Sequence, residues 1–264
     1  MAERAFSRVY AERLWGNAGK GAGPGSTPEA TQALSALLAH VVLKHNISSL
    51  LDVPCGAMAW QPRVLSVIKR LRSIDGLSPA PRNKPRFRYT GVDVVLSVVE
   101  EDTRRFPELR FVHADVTDAT TFIPRLSAVG GQTRFDLVLT RALFYHLSNA
   151  RILSALQNIK ATGSTWLLAT THNVRQNVDN ASWLAGERHG LDEGGFRPVN
   201  LRLPPFNLPP PRWQVADSGG EHVGAATQGQ SQMIALWRLS ELHFWRRGTH
   251  KTKRHGRYKV QSRS

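Results

Sequence analysis

Three aspartates stand where short apolar runs stop. Ser49-Leu50-Leu51 ends at Asp52, Arg88-Tyr89-Thr90-Gly91-Val92 ends at Asp93, and Phe111-Val112-His113-Ala114 ends at Asp115. Gly56 follows the first of them across Val53-Pro54-Cys55. A carboxylate accepts hydrogen bonds from amines and from the paired hydroxyls of a ribose, and a glycine lets backbone come close to a ligand. A dinucleotide site asks for Gly-x-Gly-x-x-Gly after the first strand, so that pyrophosphate can sit on a helix N-terminus. Here a single glycine leaves little room for a pyrophosphate, and Asp52 puts an acid near it. The pattern predicts a neutral or cationic nucleoside, with Asp93 at the ribose hydroxyls and Asp115 at a base amine.

Strands must deliver these acids to one edge. The apolar runs predict strands over 48–53, 87–92, 109–113, 135–140 and 165–170, alternating with helices over about 27–45, 61–74, 95–105 and 148–160. Such alternation implies an α/β fold, a parallel sheet with helices on both faces. Trp213–Ala216 and Met233–Leu239 read as a closing antiparallel pair. Ahead of the sheet, residues 1–15 carry Phe6, Val9, Tyr10 and Leu14 on one helical side. A glycine-rich stretch, Gly16–Ser26, follows. It is no P-loop, because Lys20 precedes neither Ser nor Thr and no strand leads into it. Thr27 and Pro28 fit the cap and first position of the next helix.

Composition narrows the class. A chain of 264 residues with 41% hydrophobic residues and seven tryptophans can build one sizeable core. Cys55 is the one cysteine, so an intrachain disulfide is excluded and a reducing, cytoplasmic setting is expected. No apolar run is long enough to span a membrane. The first residues mix Glu3 and Glu12 with Arg4, Arg8 and Arg13 and lack the apolar centre of a secretory signal; organelle targeting stays open. The net charge of +15 is concentrated in two places. Residues 246–264 hold eight basic residues and no acid, and residues 63–88 hold eight against Asp75. Such segments bind polyanions such as RNA, or serve as solvated surface. The expected organisation is an N-terminal segment with a glycine-rich lid over 1–46, and a core over 47–240. The core carries a basic insertion at 75–87 and a long proline-rich loop at 173–211. A basic, disordered tail covers 241–264. Histidines are scattered without ligand spacing, so no metal site is expected.

The chain resembles the class I S-adenosylmethionine-dependent methyltransferases. The likeness rests on Trp15-Gly16, Gly23-Pro24-Gly25-Ser26, Asp52-Val53-Pro54-Cys55-Gly56 and Asn200-Leu201-Arg202-Leu203-Pro204-Pro205-Phe206. It spans roughly residues 6–240. It implies a Rossmann-like seven-stranded sheet, order 3-2-1-4-5-7-6, with strand seven antiparallel. It also implies S-adenosyl-L-methionine as cofactor, held at Gly56, Asp93 and Asp115, with Asp52 and the Gly25-Ser26 turn beside them. Their neighbours Pro54, Cys55, Val94, Val116 and Thr140 complete the expected cofactor-binding set. Many relatives carry Asp and Asn where this chain has Ala57 and Ala59, which leaves the methionine arm fewer polar partners.

The stretch Thr140-Arg141-Ala142-Leu143-Phe144-Tyr145-His146-Leu147 corresponds to Arg-x-x-Leu-x-His-Leu in relatives. In this architecture it faces cofactor and acceptor. His146 is expected to orient or deprotonate the acceptor and Arg141 to hold an acceptor group or shape the loop; a packed, helix-capping His146 is the competing reading. His172, Asn173 and Asp179 are further candidates for the acceptor side, with Trp183 and Phe206 as an aromatic lid. Cys55 fits a small packed residue. The function expected is methyl transfer to an oxygen or nitrogen of an unidentified acceptor. The alternative is a weakly active or inactive module of the same fold that binds RNA or another polyanion.

Overall fold

A computed structural model describes residues 2–74, 86–129, 131–178, 195–217 and 232–243. Most of the basic insertion, Asp179 and Trp183 in the long loop, and the basic tail after residue 243 lie outside the described residues. The elements run α1 (Ala2–Ala11), α2 (Gln32–Lys44), β1 (Ser49–Asp52), α3 (Gln61–Arg72), β2 (Arg88–Asp93), α4 (Leu96–Arg105) and β3 (Arg110–His113). They continue through α5 (Phe122–Ala128), β4 (Leu137–Thr140), α6 (Asn149–Ala161), β5 (Trp166–His172), β6 (Trp213–Ala216) and β7 (Gln232–Arg238).

The seven strands form one sheet in the order β3-β2-β1-β4-β5-β7-β6. β1 to β5 are parallel, while β7 runs antiparallel to both β5 and β6. β1 and β4 are buried on both faces, which is why they read as unbroken apolar runs. Neighbouring residues project to opposite sides. Leu51, Val92, Val138 and Leu167 meet α5 and α6 on one face, and Leu50, Tyr89, Leu139 and Leu168 meet α2 and α3 on the other. This is the expected architecture, with the expected strand order.

Local departures have local causes. α1 ends at Ala11, and Arg13 takes a left-handed φ of 52° that cannot continue a helix. α2 begins at Gln32 rather than Thr27. Thr27 Oγ1 does cap, accepting from Ala30 N at 3.2 Å, but the turn it closes precedes the helix. α5 is an addition the apolar pattern does not announce: it is seven residues long and carries Pro124 in its first turn, where a missing N–H costs no helical bond. Ser148 caps α6 as expected, accepting from Arg151 N.

Candidate cofactor and acceptor site

A hollow with about 330 Å³ of empty space, open solvent included, lies at the carboxyl edge of the sheet. Pro54, Asp93, Val94, Asp115 and Val116 line it, so the ends of β1, β2 and β3 converge there, with two of the three strand-end acids. Leu143, Leu147 and Arg151 close it from beyond β4, and Ala2 and Phe6 of α1 lie across it. The sequence suggested a glycine-rich lid within residues 1–46 but did not single out α1 or Arg151 as lining the hollow.

Asp93 organises the first turn. Its Oδ2 accepts from Gly56 N at 3.0 Å and its Oδ1 from Val95 N at 2.9 Å. Burial nevertheless pushes its carboxyl up to about 6, against the downward pull of those amides. Gly56 has φ +57°, and a Cβ there would meet Tyr10 Oη at 3.4 Å and Ala22 Cβ at 3.7 Å. The N-terminal segment is therefore folded down onto the turn that follows β1. Burial, and next the charge of Asp93, raise the Tyr10 phenol well above its usual range.

Asp115 is held differently. Oδ1 accepts from Thr117 N at 2.9 Å and Thr117 Oγ1 at 2.7 Å, and Oδ2 accepts from Arg151 Nη2 at 2.8 Å.

Asp52 is not among the residues lining the hollow. It turns inward, where its Oδ2 accepts from Tyr89 Oη at 2.8 Å and Gln61 Nε2 at 3.1 Å. Burial raises its carboxyl to about 7. Cys55 is packed beneath the turn: the Cβ of an alanine at position 91 would sit 3.0 Å from its Sγ. Burial raises its thiol far above the reactive range. Thr140 is fully buried, and its Oγ1 has no hydrogen-bond partner among the described residues. Gly25 and Ser26 also stand apart from the hollow. Ser26 Oγ donates to Ala22 O within its own turn, and the Gly25 carbonyl accepts from Arg141 Nη1 at 2.9 Å.

That last bond joins two sequence candidates 116 residues apart. Arg141 Nε also donates to Asp217 Oδ2 at 3.2 Å, in a pair whose side chains are 5% and 0% exposed. Gln232 Nε2 donates to the same oxygen at 2.9 Å. Arg141 thus ties the Gly-Pro-Gly-Ser turn to the ends of β4 and β6. Asp217 and Gln232 lacked any local signal in the sequence.

His146 sits in a short helical turn with Phe144 and Tyr145, between the hollow-lining Leu143 and Leu147. Its ring stacks on Trp15, centroids 4.6 Å apart and planes at 18°. Nδ1 lies 2.8 Å from Gly195 O. A carbonyl only accepts, so Nδ1 carries the proton and, in the neutral ring, Nε2 is the basic nitrogen. His172 Nδ1 lies 3.2 Å from Val199 N and 3.3 Å from Val199 O, and burial pushes the ring down to about 4. Phe206 is buried in the core, and Asn177 bonds the backbone of Asn200 and Pro204, so the Asn-Leu-x-x-x-Pro-Phe segment is anchored beside β5. Among the described residues, no cluster of His, Cys, Asp or Glu could hold a metal ion.

No family model and no curated protein matches the chain. Solved structures do. The N-methyltransferase NodS of Bradyrhizobium japonicum WM9, in complex with S-adenosyl-L-homocysteine, is 12% identical with a TM-score of 0.52, covering 89% of this chain and 98% of its own. The 4+2 cyclase SpnF is 13% identical with a TM-score of 0.54, covering 90% and 95%. The PH0226 protein of Pyrococcus horikoshii OT3 is 10% identical with a TM-score of 0.50, covering 82% and 96%. At such identities the shared property is the architecture: the chain has the Rossmann-like fold of a methyltransferase, a fold that also carries a cyclase.

Proposed function

We propose that the chain is an S-adenosylmethionine-dependent methyltransferase acting on an oxygen or nitrogen of an acceptor still to be identified. The observation that carries this reading is Asp93 at the tip of β2, lining the hollow with both oxygens tied to backbone amides. An ionised carboxylate accepts about four hydrogen bonds, so lone pairs remain for the two hydroxyls of a ribose. Asp115 stands at the next strand tip for the base, and Val94, Val116, Leu143 and Leu147 supply apolar walls for a flat ring. The fit extends to charge, since acids and apolar walls suit a cationic nucleoside better than a phosphate. NodS, solved with S-adenosyl-L-homocysteine, has the same fold.

Bound here, the cofactor supplies a methyl group on a sulfonium, whose leaving group is a neutral thioether. The protein's task is chiefly to position. Ala2 and Phe6 of α1 lie across the hollow, and Tyr10 packs over the neighbouring turn at Gly56. Arg141, committed to Asp217 and Gly25, is a positioning residue that sets the loop after β4. His146, with Nδ1 at Gly195 O and its ring stacked on Trp15, is the candidate group for orienting the acceptor or taking its proton, the latter a need that arises only for a hydroxyl or a protonated amine. In this reading residues 1–46 form the cover, 47–240 the core, and 241–264 a basic appendage, in a cytoplasmic protein. No helix among the described residues is long and apolar enough to cross a membrane.

Calorimetric titration with S-adenosylhomocysteine tests the proposal. Binding that weakens in Asp93→Ala supports it; a heat-silent wild-type chain ends it. A polyanionic partner is a second reading, favoured by Arg63, Lys69 and Arg70 on the exposed face of α3 and by exposed Arg86 and Arg88. A salt-dependent shift of RNA in a gel, reduced by deleting residues 246–264, supports it, and no shift at low salt counts against it.

A further inference from the structure

The cations of α3 stand where the methyl-donor reading has no use for them. α3 leaves the carboxyl edge after β1 and crosses back before the parallel β2, so its last turn lies at the amino edge. Arg72 Nη1 fixes it there, donating to Ile47 O at 2.6 Å, two residues ahead of β1. α2 ends at the same edge with Lys44, and β2 begins there with Arg88, paired with Ser49. Lys44, Lys69, Arg70, Arg86 and Arg88 are all exposed, and none is in an ion pair among the described residues. α2 and α3 contain no Asp or Glu. A helix dipole favours Lys69 and Arg70 in the last turn of α3, but Arg63 stands in its first turn, where a cation opposes the dipole.

Apolar side chains run through the same surface. Arg63, Val67, Arg70 and Ile74 follow at spacings of four, three and four, which is one helical stripe. Hydrogen bonds from Ser73 N to Arg70 O and from Ile74 N to Leu71 O carry the turn past Arg72. Val67 is 45% exposed and Ile74 44%. Cations interleaved with branched aliphatics suit a surface with anionic headgroups outside and hydrocarbon beneath. Single-stranded RNA is held by rings that stack on its bases, and among the described residues no aromatic side chain is exposed. We infer that the α3 stripe and the amino-edge cations dock the chain on an anionic phospholipid membrane. The hollow lies at the opposite edge, beyond the four residues of β1, or about 13 Å away. Methyl transfer needs the acceptor within about 3 Å, so the membrane is an anchor and leaves the hollow free for the acceptor. The inference stands apart from the methyl-donor reading.

The full-length chain is sedimented with phosphatidylcholine vesicles, with and without phosphatidylserine. It should pellet with the serine-containing vesicles, be released by high salt, and stay in solution with phosphatidylcholine alone. Lys69→Glu combined with Arg70→Glu should weaken the binding at least about tenfold. Val67→Ser combined with Ile74→Ser should weaken it about tenfold too, because apolar insertion is lost while the charges stay. Circular dichroism melts check that each variant folds; should the Glu pair fail, Lys69→Gln combined with Arg70→Gln takes its place. Vesicle binding unchanged by loss of those charges belongs to another basic segment and overturns the inference. Binding that falls with the charges but not in the Ser pair is a purely electrostatic contact open to any polyanion, RNA included, and overturns it as well. A wild type that stays in solution with both kinds of vesicle also overturns it, whatever its affinity for nucleosides.

Discussion

At the amino edge of the sheet, Asp136 precedes β4 and its Oδ2 accepts from Ser48 N at 2.7 Å, Ser48 Oγ at 2.7 Å and Ser49 N at 3.0 Å. At the carboxyl edge, Asp52 and Asp93 end β1 and β2. Burial acts on all three, but with opposite outcomes. At Asp136 the hydroxyl and amide donors of Ser48 and Ser49 outweigh burial and hold the carboxyl below its ordinary value. At Asp52 and Asp93 burial wins, and the groups stand at about 7 and about 6. One edge spends its carboxylate on joining β1 to β4. The other keeps carboxylates that cost stability at neutral pH, a pattern that marks functional edges more often than structural ones.

The comparison is broken most directly at Asp136. Asp136→Ala should cost about 3 kcal/mol, as expected for several hydrogen bonds to one charge, with nucleoside affinity of the folded fraction unchanged. Denaturant melts at pH 7 read the loss. The native Asp136 contribution is present above the unfolded value near 4 and is lost as pH falls through its depressed folded value, so wild type and variant should converge in acid. Next comes Asp93→Asn, which should weaken S-adenosylhomocysteine binding by about 2 kcal/mol while leaving stability at pH 8 level or higher. A variant that loses stability but not affinity would place Asp93 with Asp136 rather than against it.

Asp52→Asn sharpens the contrast with the smallest effect. Because the folded group titrates near 7 and the unfolded one near 4, its contribution is complete below about pH 4 and is lost as pH rises to about 7. The asparagine removes that slope. Its stability relative to wild type should therefore rise steadily between pH 4 and pH 7 in a series of thermal melts. A constant difference across that range would mean that Tyr89 and Gln61 compensate Asp52 as fully as the serines do Asp136.

The strands were legible because each is short, apolar and closed by an acid or a turn residue, a pattern confined to a few neighbouring positions. β6 at Trp213–Ala216 was readable for the same reason, despite lying at the sheet edge with three of its residues exposed. α5 was not, since two buried residues and a proline in seven positions make no period. The site divides along the same line. Asp93 and Asp115 could be placed at adjoining strand tips from sequence alone. That Asp52 turns away to Tyr89, 37 residues on, could not, nor could the link from Arg141 to Gly25 and Asp217. An arginine on an amphipathic helix, such as Arg151, looks like any solvated cation until the helix is docked.

What the amino-acid sequence determined by itself was therefore the set of strands, their α/β alternation and the acids at their tips. Those follow from burial period, turn chemistry and chain direction, which act over a few residues. Only the tertiary structure decided which of those acids face the hollow, which face inward, and that α1 closes over them. Side-chain pairing across tens of residues depends on sheet register and helix docking, and no local pattern encodes the partner.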